Sequence, residues 1–179
     1  YLGMFAVLLG CAVTVGAVSA LAVPLLFAAI VEARFIRPEE QMLRGLFPEI
    51  LIPDFSGDLE TRMTALEKIL GAQRGWILIG SSFGGLMAAL FACQHPEQVH
   101  RLILLAPALI WPDFASQPPR PIDVPTLIYH GRQDHLVPID MVQTLAKQVF
   151  YRLEFHAVDD DHGLYKTVHS LDWKAILDE

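Results

Sequence analysis

The chain has 179 residues, with 13 lysines and arginines against 20 aspartates and glutamates, which gives a formal net charge of −7. This length allows one domain with a substantial core, and the negative charge without a basic run argues against a nucleic-acid-binding protein. The two cysteines, Cys11 and Cys93, lie in apolar sequence far from zinc-ligand spacing. We expect buried thiols rather than a disulfide or a metal site.

Residues 1–31 contain no charged side chain and are rich in Ala, Val, Leu and Gly. About 20 such residues suffice to cross a bilayer, so the run predicts a transmembrane helix and a membrane as partner. Two alternatives are a cleaved signal peptide, which the length of the run disfavours, and a buried strand at residues 5–9 followed by a core helix. Arg34, Arg37 and Arg44 follow the run, which predicts that the rest of the chain is cytoplasmic.

After a linker or amphipathic segment at residues 32–48, strand patterns alternate with helical ones. The predicted strands are residues 49–54, 76–79, 99–105, 126–129 and 153–158. The predicted helices are residues 58–70, 86–93 (closed by His95-Pro96), 139–149 and 165–177, and residues 106–123 form an irregular, proline-rich stretch. Short strands that alternate with helices indicate an α/β fold, with a mostly parallel sheet covered by helices on both faces.

The second strand pattern ends in Gly80-Ser81-Ser82-Phe83-Gly84, and an apolar helical pattern follows. A Gly-x-Ser-x-Gly sequence between a strand and a helix indicates a nucleophile elbow, in which a serine occupies a strained, tight turn. Glycines two residues before and after Ser82 avoid a collision between strand and helix. Ser82 is therefore the candidate nucleophile and Ser81 a spacer. We expect the Phe83 N–H, at the helix N-terminus, to contribute to an oxyanion hole.

A serine becomes nucleophilic when a histidine takes its proton and a carboxylate orients that histidine. In a parallel sheet these groups follow the carboxyl ends of strands. Asp134 follows the predicted strand at 126–129, and His162 follows the strand at 153–158; Asp113 is the alternative acid. Residues 159–161, three aspartates, are interpreted as a solvated turn. The remaining histidines are interpreted as surface, strand or turn residues: His95, His100, His130, His135, His156 and His169.

The chain order Ser82, Asp134, His162 is that of α/β-hydrolases, and residues 49–179 resemble small single-domain bacterial esterases of that family. The resemblance is carried by Gly-x-Ser-x-Gly, by Gly-x-x-Asp-x-x-Val-Pro from Gly131 and by Asp-His-Gly around His162. It implies an α/β-hydrolase fold without its N-terminal strands. It also implies that a small carboxylic ester or thioester is cleaved without a metal or organic cofactor.

The sequence departs from the family at the second oxyanion donor, which usually follows a His-Gly pair absent here before Ser82. Either residues 5–9 replace the strand that precedes this donor, with Gly10 and Cys11 as the loop, or the sheet lacks that strand. The alternative function is therefore a catalytically impaired or truncated hydrolase-like membrane protein. A chain that begins at Tyr1 rather than Met agrees with truncation.

Substrate size should depend on residues 106–123, which are too few for a large cap over the nucleophile. An open cleft buries little of a long acyl chain, so we expect a preference for short acyl groups. Trp111 and Phe114 are the candidates for its apolar wall, although both also fit an ordinary surface loop.

Overall fold

The computed structural model describes residues 5–9, 26–29, 44–45, 50–53 and 55–178. The strands are β1 Phe5–Leu9, β2 Leu26–Ala29, β3 Trp76–Ser81, β4 Val99–Leu105, β5 Thr126–Gly131 and β6 Leu153–Val158. The helices are α1 Leu59–Leu70, α2 Ser82–Gln94, α3 Pro112–Ala115, α4 Ile139–Val149, α5 Tyr165–Ser170 and α6 Trp173–Asp178, with a 3₁₀ turn at Pro96–Gln98.

Strands β3 to β6 form a parallel sheet in chain order, with helices between successive strands. All four large apolar residues at the start of β3, from Trp76 to Ile79, are buried, as expected where helices cover both faces of a parallel strand. Helix α2 follows β3 and is buried over most of its length, whereas β6 alternates between half-buried and exposed residues. The loops that carry the candidate functional residues therefore follow strands of a sheet whose central strand, β3, is buried.

Most of the predicted elements after residue 55 are confirmed. Strands β4 and β6 and helix α4 have the predicted bounds, and β5 is two residues longer than expected. Helix α1 begins where the Asp58 side chain accepts a hydrogen bond from the Thr61 N–H at 2.9 Å, and it buries Leu66 and Leu70. The four-strand core and its covering helices thus follow from the local sequence pattern.

Two predicted elements differ in the structure. The closing helix at 165–177 is divided into α5 and α6, because Leu171 is extended and the Asp172 side chain accepts a hydrogen bond from the Ala175 N–H at 3.1 Å, as at a helix start. The predicted strand at 49–54 is reduced over residues 50–53 to a single β-bridge at Leu51, and these residues belong to no named strand. Ile50 is buried there but Leu51 is 44% exposed, and a strand inside a parallel sheet would bury both.

Residues 1–31 were predicted as one apolar helix, but β1 and β2 lie within this run and pair with β3. Strand β1 is antiparallel to β3 and β2 is parallel to it. No helix in the part of the chain that the structure describes is long and apolar enough to cross a membrane. The rest of the run and most of the segment at 32–48 lie outside the described residues, so the domain limits and the cytoplasmic location stay predictions.

Candidate active site

Ser82 lies at the junction of β3 and α2 with a φ angle of 50°, a left-handed conformation that is uncommon for residues other than glycine. The turn is tight: a Cβ on Gly80 would overlap the main-chain carbonyl of Gly84, which confirms the predicted steric reason for glycine there. A Cβ on Gly85 would lie 2.8 Å from the Cβ of Pro107, a close approach that the sequence pattern did not indicate. The elbow therefore presents the Ser82 hydroxyl at the carboxyl end of the sheet.

His162 lies between the nucleophile and the acid. Its Nε2 is 2.9 Å from the Ser82 Oγ, and its Nδ1 is 2.7 Å from the Asp134 Oδ2. Because a carboxylate only accepts hydrogen bonds, the Nδ1 carries the proton and the Nε2 is free to accept one from the serine hydroxyl. The His162 side chain is 18% exposed, whereas the Asp134 side chain is fully buried. The three residues predicted from loop position thus form one continuous chain of hydrogen bonds.

The Asp134 carboxylate accepts hydrogen bonds at both oxygens. Its Oδ1 accepts from the main-chain N–H groups of Leu136 and Val137, at 2.9 and 2.8 Å. Burial acts to raise the pKa of Asp134, but hydrogen bonds from His130, His162 and the Val137 N–H outweigh it, so the pKa is well below its ordinary value. Asp134 is therefore ionised at neutral pH. The alternative acid, Asp113, is exposed on α3.

His130 belongs to this site, although the sequence reading assigned it to the surface, a strand or a turn. It lies at the end of β5, where it is fully buried, and its Nε2 is 3.2 Å from the Asp134 Oδ2 and 2.9 Å from the Val137 carbonyl oxygen. The sequence signal is a histidine four residues before the acid, at the end of a buried strand. The predicted strand stopped at Tyr129 and left His130 in the loop.

Asp160 corrects the interpretation of residues 159–161 as a solvated turn. It is 4% exposed, and its Oδ2 accepts hydrogen bonds from the N–H and the hydroxyl of Thr167 in α5, at 2.9 and 3.0 Å. Burial opposes ionisation of Asp160, but these bonds outweigh it and lower its pKa. Asp159, by contrast, is exposed, as predicted. The buried carboxylate fixes the loop that carries His162 to the following helix.

The two candidates for the acyl wall lie in different environments. Trp111 is 39% exposed and packs edge-to-face on Phe83, the residue after the nucleophile, with ring centroids 5.0 Å apart. Phe114 is fully buried in the core, with its ring centroid 6.5 Å from that of Phe150. Its burial leaves no exposed surface for a substrate, so its predicted contact with an acyl chain is not supported. Trp111 keeps that role as a prediction.

The elbow itself provides one candidate donor for an oxyanion hole, the main-chain N–H of Phe83. Phe83 lies in the first turn of α2, where main-chain N–H groups have no acceptor within the helix. The proposed replacement of the earlier family strand by residues 5–9 meets a geometric objection: β1 is antiparallel, and its last residue, Leu9, pairs with Ile77 at the end of β3 remote from Ser82. Strand β2 is parallel to β3 and points toward Ser82. Gly10, Cys11 and the residues after Ala29 lie outside the described residues.

Known proteins share both the sequence pattern and the fold. A family model described as alpha/beta hydrolase fold matches residues 48–120. A rice protein (Oryza sativa subsp. japonica) named "Probable 1-acylglycerol-3-phosphate O-acyltransferase" is 61% identical over 33 residues, which are 18% of this chain and 8% of the rice protein. The chain therefore spans a small part of that relative's length.

Two solved structures illustrate the structural likeness. A YdeN-like hydrolase from Pectobacterium atrosepticum is 24% identical with a TM-score of 0.60, and the match covers 77% of each chain. An alpha-beta serine hydrolase homologue from Coxiella burnetii is 20% identical with a TM-score of 0.55, over 86% of this chain and 67% of the other. At these identities the likeness establishes the fold.

Proposed function

We propose that this chain, which has the α/β-hydrolase fold, is a serine hydrolase that cleaves a carboxylic ester or thioester. The observation that carries the proposal is the run of hydrogen bonds from the Ser82 Oγ through His162 to Asp134, with distances of 2.9 and 2.7 Å. The strained φ of Ser82 supports it, because such strain is typical of functional positions.

In the first half of the reaction the Ser82 Oγ attacks the acyl carbon while the His162 Nε2 takes the hydroxyl proton. Asp134 keeps the proton of His162 on Nδ1 and stabilises the positive charge that the ring gains. The negative charge on the substrate oxygen is stabilised by the Phe83 N–H at the start of α2. The tetrahedral intermediate then collapses, and His162 donates its proton to the departing alcohol or thiol.

The second half regenerates the enzyme. A water molecule attacks the acyl-Ser82 ester while the His162 Nε2 takes one of its protons, and the carboxylic acid leaves as the proton returns to the Ser82 Oγ. The His162 side chain is 18% exposed, which supports access of water to the ring. Asp134 stays ionised throughout, in keeping with its lowered pKa.

The alternative is a hydrolase-like protein with weak turnover. It is favoured by the sequence, which has no His-Gly pair before Ser82 to mark a second oxyanion donor beside the Phe83 N–H. Loss of one oxyanion donor typically reduces kcat by a factor of about 10²–10³. The alternative therefore predicts covalent reaction at Ser82 with slow ester hydrolysis. The main proposal predicts covalent reaction at Ser82 and efficient ester hydrolysis.

Labelling with a fluorophosphonate, which phosphonylates an activated serine, tests the proposal. We expect stoichiometric labelling of the wild-type protein and none of Ser82→Ala. Ser81→Ala, one residue away at the end of β3, is the matched control and should label normally. Labelling that persists in Ser82→Ala would exclude Ser82 as the nucleophile. Hydrolysis of a p-nitrophenyl ester by the same samples then separates an efficient hydrolase from a weak one.

A further inference from the structure

We propose that His130 is a positioning residue of the active site, which holds the Asp134 carboxylate in the orientation that His162 requires. The Asp134 Oδ2 lies close to two imidazole rings: it is 2.7 Å from the His162 Nδ1 and 3.2 Å from the His130 Nε2. The inference rests on the proposed function for the role of His162. It concerns a residue that touches neither substrate nor nucleophile and acts through Asp134.

The surroundings of His130 determine which ring nitrogen carries a hydrogen. Its Nε2 faces two acceptors, the Val137 carbonyl oxygen at 2.9 Å and the Asp134 Oδ2 at 3.2 Å, so this nitrogen must be a donor. Its Nδ1 is buried and has no hydrogen-bond partner within the described structure. A buried polar atom without a partner costs roughly 1–3 kcal/mol. A phenylalanine would fill the same space without that penalty, which indicates that the Nε2–H has a function.

The function follows from the geometry of the carboxylate. Two main-chain N–H groups fix the Asp134 Oδ1, and the two imidazoles converge on Oδ2. Rotation about the last side-chain bond of an aspartate is otherwise soft. The His130 Nε2 donates to the Val137 carbonyl oxygen and lies 3.2 Å from Oδ2. Without this contact, His162 alone would restrain Oδ2, and the ring that accepts the serine proton would be less well oriented. Loss of orientation lowers kcat and leaves ground-state binding of the substrate nearly unchanged.

The main chain and a neighbouring ring hold His130 in place. It pairs with Ala157 in the β5–β6 ladder, and its ring lies nearly parallel to that of Phe155, with 17° between planes and 6.3 Å between centroids. Because this site accepts a flat ring, His130→Phe removes the donor while it keeps the aromatic packing. Gln and Asn add a sharper comparison: the Gln amide nitrogen reaches the position of the histidine Nε2, whereas the shorter Asn amide reaches only that of Nδ1.

The experiment compares His130→Gln, His130→Asn and His130→Phe with wild type in ester hydrolysis, with His156→Gln as a control at an exposed strand position. We expect Phe and Asn to lower kcat about 10- to 100-fold with KM within about twofold, as for other residues that orient a catalytic group. Gln should restore most of the loss, and His156→Gln should behave as wild type. Equal activity of the Gln and Asn variants, or a wild-type kcat in His130→Phe, would overturn the proposal.

A second readout does not depend on turnover. We expect the proton between the His162 Nδ1 and the Asp134 Oδ2, in a 2.7 Å hydrogen bond, to give a low-field resonance in proton NMR spectra of the intact protein. We expect this resonance to broaden in His130→Asn and His130→Phe, because a less restrained pair exchanges faster with water, and to stay sharp in His130→Gln. Spectra unchanged in all variants would refute the positioning role even if the wild-type protein hydrolyses no ester. If His130→Phe does not fold, the Gln and Asn pair decides the question.

Discussion

Gly131 lies against the main chain of Asp160, so closely that a Cβ on Gly131 would overlap the carbonyl oxygens of Asp160 and Asp161. Gly131 ends β5 and leads into the loop with Asp134, while Asp160 belongs to the loop with His162. The same two loops are joined by hydrogen bonds from the Arg132 N–H to the Val158 carbonyl at 2.8 Å and from the Gln133 N–H to the Asp160 carbonyl at 3.0 Å. The contact therefore sets the separation of the acid from the histidine.

Gly131→Ala should disturb this spacing. The new methyl group meets main-chain atoms, which cannot move aside as a flexible side chain does, so one loop must shift. A displacement near 1 Å at a catalytic group costs up to about 10²-fold in rate, and overpacking costs about 1–3 kcal/mol of stability. We expect slower fluorophosphonate labelling of Ser82 and a lower urea midpoint. Gly45→Ala is the control, since a Cβ there has open space; equal effects of the two substitutions would contradict the explanation.

The choice of Asp134 over Asp113 as the acid can be tested by a pair of substitutions. Asp134→Asn removes the charge that keeps the His162 proton on Nδ1, and we expect kcat to fall by a factor of about 10⁴, as when the histidine of a triad adopts the wrong tautomer. Asp113→Asn changes an exposed side chain and should leave kcat within about twofold of wild type. The comparison is made on initial rates with a saturating p-nitrophenyl ester. A larger loss in the Asp113 variant would reverse the assignment.

Asp160 should contribute a pH-dependent part of the stability. Its pKa is lowered in the folded protein, so its stabilising contribution is complete above the unfolded value of about 3.9 and is lost as the pH falls below that value. We expect Asp160→Asn to lose roughly 1–3 kcal/mol of unfolding free energy at pH 7, through the bonds to Thr167. The difference from wild type should shrink toward pH 3.

Urea unfolding at both pH values measures this difference, and Asp159→Asn, an exposed neighbour, is the matched control. The control should change stability by less than about 0.5 kcal/mol at either pH. A deficit in Asp160→Asn that stays constant from pH 7 to pH 3 would show that the carboxylate acts through shape rather than through its charge.

The sequence predicted Ser82, Asp134 and His162 because each lies in the turn or loop that follows a strand, and the strand pattern determines which edge of a parallel sheet these residues reach. It missed His130 because the predicted strand ended at Tyr129, one residue too early. It missed Asp160 because a run of three aspartates does not show which of them bonds to Thr167 in the following helix. The predicted strand at 49–54 failed for a related reason. An apolar run such as residues 50–52 is compatible with a buried strand, but it is equally compatible with a segment that buries Ile50 and exposes Leu51. The sequence alone does not distinguish the two.

Trp111 and Phe114, which the sequence grouped as one acyl wall, differ in exposure: Trp111 is exposed and Phe114 is buried. The connection from β4 to β5 holds only the four-residue helix α3, which is too short for a cap over Ser82. We therefore propose an open cleft whose exposed apolar side is Trp111 against Phe83, while Phe114 stabilises the core from below. Each CH₂ group that stays unburied loses about 0.8 kcal/mol of binding, so short acyl groups should be preferred.

Values of kcat/KM for p-nitrophenyl esters with acyl chains of increasing length test both parts of this proposal. Trp111→Ala should lower kcat/KM for butanoyl and hexanoyl esters about tenfold, the loss expected if the indole covers two CH₂ groups, and change acetyl ester hydrolysis little. Phe114→Ala should instead cost about 3–5 kcal/mol of stability and leave the relative rates across chain lengths unchanged in the folded fraction. An optimum in the wild-type protein at twelve carbons or longer would refute the open cleft. A chain-length change in the Phe114 variant that matched that of the Trp111 variant would return Phe114 to the substrate site.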